Sequence, residues 1–350
     1  MSHFFVTGHT GFKGAWLTQL LVAQGHEVSG FSLDPGGPSL FDSINLSSQM
    51  TFDFRGDIRD LSALEDALAK SRPEFVFHLA AQALVRKGYA DPINTYTTNF
   101  LGTLNVLVAT ARSSSVKAQL IVTSDKVYKN KEQGQPFEEN DPLQGGDPYS
   151  QSKASADQLA GEWLNSGRTK PGAIARAGNV IGAGDYAQDR LLPDFVRAVK
   201  TKTPLEIRYP GATRPWQHVL DCVFGYVTLL DFVNRNGTTS SPAWNFGPNP
   251  DSSDWSVRAV LDFATNLLES GAPEVVFHPS QLHEHSALTL NSRKASFDLK
   301  WKPRISVEEA IEDSIAEARD GKHWNARNHI SEMVDGFLSA SNSQEFFIEK

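Results

Sequence analysis

The chain has 350 residues, of which 40% are apolar and 21% are charged, as is typical of a globular protein of about two domains. Its formal net charge of −8 argues against nucleic acid or an anionic membrane surface as a partner, so an anionic substrate would need a local group of cations. The single cysteine, Cys222, excludes an intramolecular disulfide and a cysteine metal cluster, and no metal site is expected. Neither a signal peptide nor an apolar run of roughly 18 to 20 residues is recognised, so we expect a cytoplasmic protein.

The chain begins with a short apolar strand that leads into a glycine-rich turn. Glycine recurs at Gly8, Gly11 and Gly14, and residues 15–21 have the apolar spacing of a helix. A strand, a glycine turn and a helix N-terminus in this order bind the pyrophosphate of a dinucleotide, because glycine allows the backbone to approach it closely. A second apolar stretch ends at Asp34, twenty residues after Gly14, where a carboxylate can bind the adenosine ribose and repel a 2′-phosphate. The sequence therefore predicts an NAD site.

Apolar runs alternate with amphipathic stretches through the first half of the chain, which predicts a parallel sheet with helices on both faces. Ligands of such sheets collect at the carboxyl ends of the strands. These ends are expected to carry Gly8, Asp34, Asp57, Ala81 and Ser124. We therefore expect these five residues to lie along one edge of the sheet.

The second half is less regular, with Pro, Gly and Trp punctuating residues 182–250. We expect a Rossmann-type doubly wound α/β fold with a smaller, interleaved C-terminal lobe for the substrate. The expected division gives 1–178 to the NAD-binding domain, which a segment near 215–245 rejoins, 179–214 and 246–330 to the lobe, and 331–350 to a C-terminal tail.

A second motif runs from Tyr149 to Lys153, about 25 residues after Ser124. The two side chains are one helical turn apart and reach the same face, where the ammonium of Lys153 can lower the pKa of the Tyr149 phenol. A phenol with a lowered pKa can act as an acid and base near neutrality. The same spacing also occurs on ordinary exposed helices, and the dinucleotide loop at the start of the chain favours the catalytic interpretation.

Several features resemble the extended short-chain dehydrogenase/reductase family over roughly residues 3–305. They are the glycine triplet, Asp34, the pair Asp57-Ile58, the run 78–82 and the motif that joins Tyr149 to Lys153. Within that family, the nucleotide-sugar 4,6-dehydratases are most similar at residues 7–14, 123–126, 176–182, 211–220 and 244–248. The pair Asp125-Lys126 favours CDP-glucose, because by this resemblance the dehydratases of dTDP- and GDP-sugars carry Asp-Glu in its place.

The resemblance implies NAD as cofactor and a nucleotide sugar, with CDP-glucose favoured, as substrate. It implies catalytic roles for Ser124, Asp125, Lys126, Tyr149 and Lys153. Cofactor contacts are implied at Gly8, Thr10, Gly11, Phe12, Lys13, Gly14, Asp34, Asp57, Ile58, Leu79, Ala80, Ala81, Asn99, Thr123, Tyr149 and Lys153. Substrate contacts are implied at Gln82, Asn179, Arg190, Arg214, Asn245 and His283, of which Arg214 fits the pyrophosphate best because a guanidinium can bind two oxygens.

The implied reaction removes water from the hexose. Tyr149 takes the proton of the 4-hydroxyl, Lys126 in neutral form removes the C5 proton, and Asp125 in protonated form donates to the departing 6-hydroxyl. Each member of the Asp125-Lys126 pair must then start in its less usual protonation state, which burial favours and an ion pair within the pair opposes. The alternative is a surface ion pair on a loop.

Two departures from the family pattern concern the substrate side. Gly88 stands where a serine is expected, which could loosen the sugar pocket or change the preferred hexose. The segment that begins at His283-Glu284 diverges after these two residues, which weakens the inference about the nucleotide base.

Two rival functions use part of the same residues. A nucleotide-sugar 4-epimerase needs Ser124, Tyr149 and Lys153 but has no use for the pair that follows Ser124. A non-catalytic NAD-binding sensor needs neither set. Two amphipathic helices near 94–111 and 148–164 resemble the pair that forms the dimer interface in this family, so a homodimer is expected, although the same helices could simply cover the sheet.

Overall fold

The computed structural model describes residues 1–129, 135–248, 255–268, 270–277 and 289–340. Its strands are β1 (His3–Thr7), β2 (Glu27–Ser32), β3 (Phe52–Arg55), β4 (Phe75–His78), β5 (Ala118–Val122), β6 (Gly172–Ala177), β7 (Val180–Ile181), β8 (Leu205–Ile207), β9 (Gln217–His218), β10 (Ala243–Phe246) and β11 (Val275–Phe277). Its α-helices are α1 (Phe12–Ala23), α2 (Leu40–Ser43), α3 (Leu61–Ser71), α4 (Val85–Ala90), α5 (Pro92–Tyr96), α6 (Gly102–Arg112), α7 (Pro148–Asn165), α8 (Leu191–Thr201), α9 (Val219–Asn236), α10 (Val257–Asn266), α11 (Arg293–Asp298), α12 (Val307–Ser314), α13 (Ala316–Asp320) and α14 (Ala326–Ser339). A π-helical stretch over Thr97–Leu101 joins α5 to α6, and a 3₁₀ turn covers Asp125–Val127.

A seven-stranded sheet with the order β3-β2-β1-β4-β5-β6-β10 forms the centre of the molecule, and every neighbouring pair is parallel. Successive residues of β1 face opposite sides, so Phe4 and Val6 pack with α1 and α9, whereas Phe5 packs with α3, α6 and α7. Burial on both faces explains why β1 is a continuous apolar run. The predicted doubly wound parallel sheet is confirmed.

The smaller lobe has a core of its own. Phe195 of α8, Val260 of α10 and Ile311 of α12 are buried in it, beside the parallel pair of β8 and β11. The short β7–β9 pair brings the chain back to α9, and β10 then completes the central sheet.

Two stretches differ from the expected division. Ala295 of α11 and Trp301 pack into the core of the NAD-binding domain, although the lobe was expected to include them. Residues 331–339, expected as part of a tail, belong to α14. Its Ile330, Val334 and Phe337 recur at helical spacing and pack into the same core, which contains the buried face of α1.

Helix α9 is enclosed along most of its length. Its Asp221 accepts hydrogen bonds from the backbone N–H groups of Arg304 and Ile305, at 2.9 and 3.0 Å, and so fastens the segment that follows α11. No helix in the described part of the chain combines the length and apolar character needed to cross a membrane.

Acid is expected to destabilise the fold through His78, which is fully buried at the end of β4. Burial, aided by the charge of Lys153, lowers the pKa of His78 to about 3. The unfolded chain therefore binds a proton below its ordinary pKa of about 6.5 that the folded chain does not bind. The contribution of His78 to the free energy of unfolding is fully present above about pH 6.5 and is lost as the pH falls toward the folded-state pKa. At pH 5 the loss from this group is about 2 kcal/mol.

Urea unfolding at pH 7 and pH 5 measures this loss. The variant His78→Gln should lose less stability between the two pH values than the parent does. An equal loss in both proteins would contradict the assignment to His78.

Candidate active site

The glycine turn is pressed against the end of β4. Gly8 has φ +76°, and a Cβ added to it would lie 2.7 Å from the backbone nitrogen of Ala80. A Cβ on Gly14 would lie 2.1 Å from the carbonyl oxygen of Gly8. By contrast, a Cβ added to Gly11 would meet only the carbonyl oxygen of Gly8, at 3.3 Å. The turn is therefore open around Gly11, at the N-terminus of α1. The geometry fits a pyrophosphate.

Thr10 and Lys13 of the same turn lie near different parts of the predicted cofactor site. Thr10 Oγ1 donates to the carbonyl oxygen of Leu33 at 3.0 Å, which ties the turn to the end of β2. Phe12 and Lys13 begin α1. The charge of Lys13 helps to lower the pKa of Lys153, so Lys13 lies near the catalytic end.

The acid at the end of β2 is exposed and has a basic neighbour that sequence reasoning missed. The carboxylate of Asp34 is 83% exposed, and its Oδ1 lies 3.2 Å from Arg55 Nε at the end of β3. Asp57 accepts two hydrogen bonds from Arg59 Nε, at 2.9 and 3.0 Å, and Ile58 beside it is buried. Arg55 ends β3 and Arg59 follows it, at the edge where ligands are expected, and this position could have drawn attention to both.

The loop after β4 is held by buried hydrogen bonds. The backbone N–H groups of Leu79 and Ala80 donate to Thr7 Oγ1 at 3.2 and 3.3 Å. Asn99 Oδ1 accepts a hydrogen bond from the backbone N–H of Gln82 at 2.8 Å, and Asn99 Nδ2 donates one to the carbonyl oxygen of Gln82 at 3.0 Å. Asn99 therefore shapes the loop from behind, and Ala81 lies within it, half-buried.

Gln82, expected at the substrate, is used inside this loop instead. Its Nε2 donates to Thr95 Oγ1 at 2.9 Å and to the carbonyl of Leu84 at 3.1 Å, and its Oε1 accepts from the backbone N–H of Leu84. Since the amide is buried and paired at both ends, it holds α5 against the loop, and its contact with substrate stays a prediction.

The catalytic pairs meet at the ends of β5 and α7. Ser124 Oγ donates to Asp125 Oδ1 at 3.0 Å, and Ser124 lies near enough to Tyr149 to act on the pKa of its phenol. Lys153 Nζ donates to the carbonyl of Val122 at 2.9 Å. Burial and the charge of Lys13 lower the pKa of Lys153 to about 8.

The pKa of Tyr149 is shifted in the direction opposite to the one expected. Burial raises it to about 12, against the hydrogen bond of Ser124 and the charge of Arg190. Lys153 lies one turn away as predicted, but desolvation of the phenol is the larger effect.

Asp125 is buried, and burial raises the pKa of its carboxyl group against the charges of Lys126, Lys13 and Arg214. Its Oδ2 has no hydrogen-bond partner among the described residues. A carboxyl group with a raised pKa holds its proton more readily, and a protonated Oδ2 can donate it. The direction is the one expected for an acid that protonates a leaving group. Lys126 beside it is half-buried.

Three of the predicted substrate residues lie around this cluster. Asn179 follows Gly178, where an added Cβ would lie 3.4 Å from Asp125 Oδ2. The charge of Arg214 acts to lower the pKa of Asp125, and the charge of Arg190 acts to lower the pKa of Tyr149. Arg190 is held by Asp185, because Arg190 Nη1 donates a hydrogen bond to Asp185 Oδ2 at 2.7 Å.

The other two predicted residues are not placed there. Asn245 is fully buried, its Oδ1 accepts the Tyr128 hydroxyl at 2.6 Å, and its Nδ2 donates to the carbonyl of Phe137 at 3.0 Å. The amide of Asn245 is thus used within the core, and its contact with substrate stays a prediction. His283 lies outside the described residues.

Gly88 lies where α4 meets α7. A Cβ added to it would be 3.1 Å from the backbone nitrogen of Tyr149 and 3.3 Å from its Cβ. The serine expected at this position would thus crowd the helix turn that carries Tyr149. Glycine allows the two helices to approach.

Residues 4–247 match the NAD dependent epimerase/dehydratase family, and the chain belongs to this family. The resemblance to extended short-chain dehydrogenases/reductases is thereby confirmed. The chain is 40% identical to the CDP-glucose 4,6-dehydratase of Salmonella typhimurium over 316 residues, which cover 88% of each protein. It is 28% identical to the UDP-glucose 4-epimerase of Mycolicibacterium smegmatis, over 89% of this chain and 96% of that protein.

The fold is shared with a solved structure of dTDP-glucose 4,6-dehydratase from Bacillus anthracis in complex with NAD. The TM-score is 0.78 at 21% identity, and the match covers 93% of this chain and 98% of the other. At this identity the likeness shows the fold alone.

Proposed function

We propose that this protein is an NAD-dependent lyase that converts CDP-glucose into CDP-4-keto-6-deoxyglucose and water. The observation that carries the proposal is Asp125, a buried carboxyl group next to Ser124 and Tyr149 with a raised pKa, whose Oδ2 has no hydrogen-bond partner in the described part of the chain. A proton donor at this place serves the loss of a hydroxyl group and is of no use to an epimerase. The 40% identity to the Salmonella typhimurium enzyme supports the choice of CDP-glucose.

The residues at the sheet edge fit NAD. The open side of the glycine turn receives the pyrophosphate, Asp34 the adenosine ribose, and Lys153 the nicotinamide ribose. Bound NAD would supply the hydride acceptor for C4 of the sugar and the hydride donor for C6. The chain's own residues therefore supply the proton transfers.

Oxidation at C4 requires a base for the 4-hydroxyl proton. Tyr149 serves as that base in its phenolate form. Because burial raises the pKa of the phenol, the phenolate depends on Ser124 and on the charge of Arg190, which both act to lower that pKa. Ser124 also binds the 4-oxygen as it becomes a carbonyl oxygen.

Elimination follows from the new carbonyl group, which makes the C5 proton acidic. Lys126, as a neutral amine, removes this proton, and Asp125 donates its own to the departing 6-hydroxyl. The C5–H and C6–O bonds break, a C5–C6 double bond forms, and water leaves. A proton then returns to C5 as C6 is reduced.

The test is turnover of CDP-glucose in D₂O, followed by NMR, with UDP-, dTDP- and GDP-glucose in parallel. A 6-deoxy-4-keto product with deuterium at C5, formed preferentially from CDP-glucose, is expected. A C4 epimer that retains oxygen at C6 would replace the proposal by an epimerase. Cofactor binding without turnover of any sugar would indicate a sensor.

Selectivity for NAD is expected to depend on Asp34. The variant Asp34→Ala removes the carboxylate that repels a 2′-phosphate. Arg55, whose Nε lies 3.2 Å from that carboxylate in the parent, is then no longer paired with it and can attract the 2′-phosphate. Since a charge-assisted hydrogen bond contributes about 1.5–3 kcal/mol, NAD affinity should fall about tenfold to a hundredfold while NADP affinity rises. Dissociation constants from calorimetry measure both.

The variant Asp262→Ala, on the exposed side of α10, changes the net charge equally and should leave both affinities unchanged. Unaltered NAD affinity in Asp34→Ala would contradict the role of Asp34.

We also propose that the protein is a homodimer through the helical face formed by α5, the π-helical stretch and α7. Ile93 is 77% exposed, and Phe100 and Leu101 next to it are 37% and 40% exposed. Apolar side chains exposed together mark an interaction surface. Light scattering should give twice the chain mass, and Ile93→Glu should give the monomer.

A further inference from the structure

A chain of buried polar side chains lies behind the turn that carries Asp125 and Lys126. Its members, here called the Arg176 network, are Thr123, Tyr128, Asp157, Arg176 and Asn245. None of them is more than 6% exposed. The network joins β5, α7, β6 and β10, and no catalytic step described above uses it.

The network is centred on a buried ion pair. Arg176 donates from Nε and Nη2 to the two carboxylate oxygens of Asp157, at 2.9 and 2.6 Å, and Thr123 Oγ1 donates to Asp157 Oδ2 at 2.7 Å. Arg176 Nη1 donates to the Tyr128 hydroxyl at 2.9 Å, which in turn donates to Asn245 Oδ1 at 2.6 Å. A buried network whose polar groups are all paired fixes one arrangement of its members.

The two ends of the catalytic turn are fastened to this network. Thr123 immediately precedes Ser124, and Tyr128 immediately follows the 3₁₀ turn over Asp125–Val127. Asp157 lies one helical turn after Lys153 on α7. The network therefore relates the turn to the helix that carries the other catalytic pair.

The two halves of the site depend on the network unequally. Tyr149 and Lys153 are held by a long helix and by the bond from Lys153 Nζ to the carbonyl of Val122. The 3₁₀ turn has only three residues, and such short turns have weak hydrogen bonds of their own. The position of Asp125 and Lys126 thus relies on what holds Tyr128.

We propose that Tyr128, bound to Arg176 and Asn245, is a positioning residue for the elimination step, which holds Asp125 and Lys126 at the C5–C6 edge of the sugar. The inference rests on the proposed dehydratase function. Burial also raises the pKa of Tyr128, so its hydroxyl remains a donor to Asn245 at working pH. Oxidation at C4, which Ser124 and Tyr149 serve, depends less on Tyr128.

The test compares Tyr128→Phe with the parent, both loaded with NAD, during reaction with CDP-glucose. Release of the 6-deoxy-4-keto sugar should slow about tenfold to a hundredfold, as for a catalytic group misplaced by about 1 Å, with little change in KM. Since C4 oxidation continues, the near-ultraviolet absorbance of the reduced cofactor should accumulate in the variant. The control Thr228→Val removes another buried hydroxyl, on α9 and outside the network, and should do neither.

The variant Thr123→Val, which breaks the other end of the network with little change in shape, should give the same accumulation and replaces Tyr128→Phe if that variant does not fold. Turnover of Tyr128→Phe equal to that of Thr228→Val would overturn the inference. So would an equal loss of oxidation and elimination without accumulation, because that is the signature of a purely structural role. Failure of the parent itself to form the 6-deoxy-4-keto sugar would instead overturn the proposed function, and this inference with it.

Discussion

Replacing Tyr149 by phenylalanine is expected to reduce turnover of CDP-glucose about a thousandfold, because a positioned acid or base contributes typically 10²–10⁴ to the rate. The phenol lies near Ser124, which acts to lower its pKa and which the proposed mechanism places at the 4-oxygen. Without the hydroxyl no group at this position accepts the 4-hydroxyl proton, so the first hydride transfer stops. No reduced cofactor should therefore accumulate when substrate is added.

Steady-state kinetics and cofactor absorbance measure the two effects. NAD affinity should change little, since Lys153 and the glycine turn remain. The control Thr228→Val, which removes a buried hydroxyl of α9, should retain full turnover. If Tyr149→Phe kept more than about a tenth of the parent rate, Tyr149 would not be the base.

The variant Asp125→Asn is expected to slow dehydration about a hundredfold to a thousandfold while it leaves C4 oxidation in place. The amide cannot protonate the departing 6-hydroxyl, so reduced cofactor should accumulate, in contrast to Tyr149→Phe. The pH profile provides a second signature. Because burial raises the pKa of Asp125, parent activity should fall as the pH rises through that pKa, and the variant should lack this fall.

The same substitution is expected not to lower stability at neutral pH. A carboxyl group whose pKa is higher in the folded state than in the unfolded state lowers stability once the pH exceeds the unfolded-state pKa. Above that pH the unfolded chain releases the proton freely, whereas the folded chain must keep it or ionise the group while it is buried. Asparagine removes this cost, so the Tm of Asp125→Asn at pH 7 should equal or exceed that of the parent. A surface control, Asp262→Asn, should change neither Tm nor turnover. A clear loss of Tm in Asp125→Asn, together with equal losses of oxidation and dehydration, would contradict the role of proton donor.

The sequence by itself determined the features that depend on spacing along the chain. Gly8, Gly11 and Gly14 predicted the dinucleotide turn because only glycine tolerates the close approach that the structure shows at Gly8 and Gly14. Alternating strands and helices predicted the parallel sheet, and the separation of Tyr149 from Lys153 placed both on one helical turn. Each of these follows from the helix period or from the direction of parallel strands.

The tertiary structure decided what depends on residues far apart in the chain. Asn245 and Gln82 carry groups suited to a substrate, yet their amides are paired inside the protein by Tyr128 and Thr95. Arg55 meets Asp34 only because β2 and β3 are neighbours. The directions in which the pKa values of Tyr149 and Asp125 shift are likewise not set by spacing. Burial, which sums contributions from several elements, outweighs the neighbouring charges that the sequence makes visible.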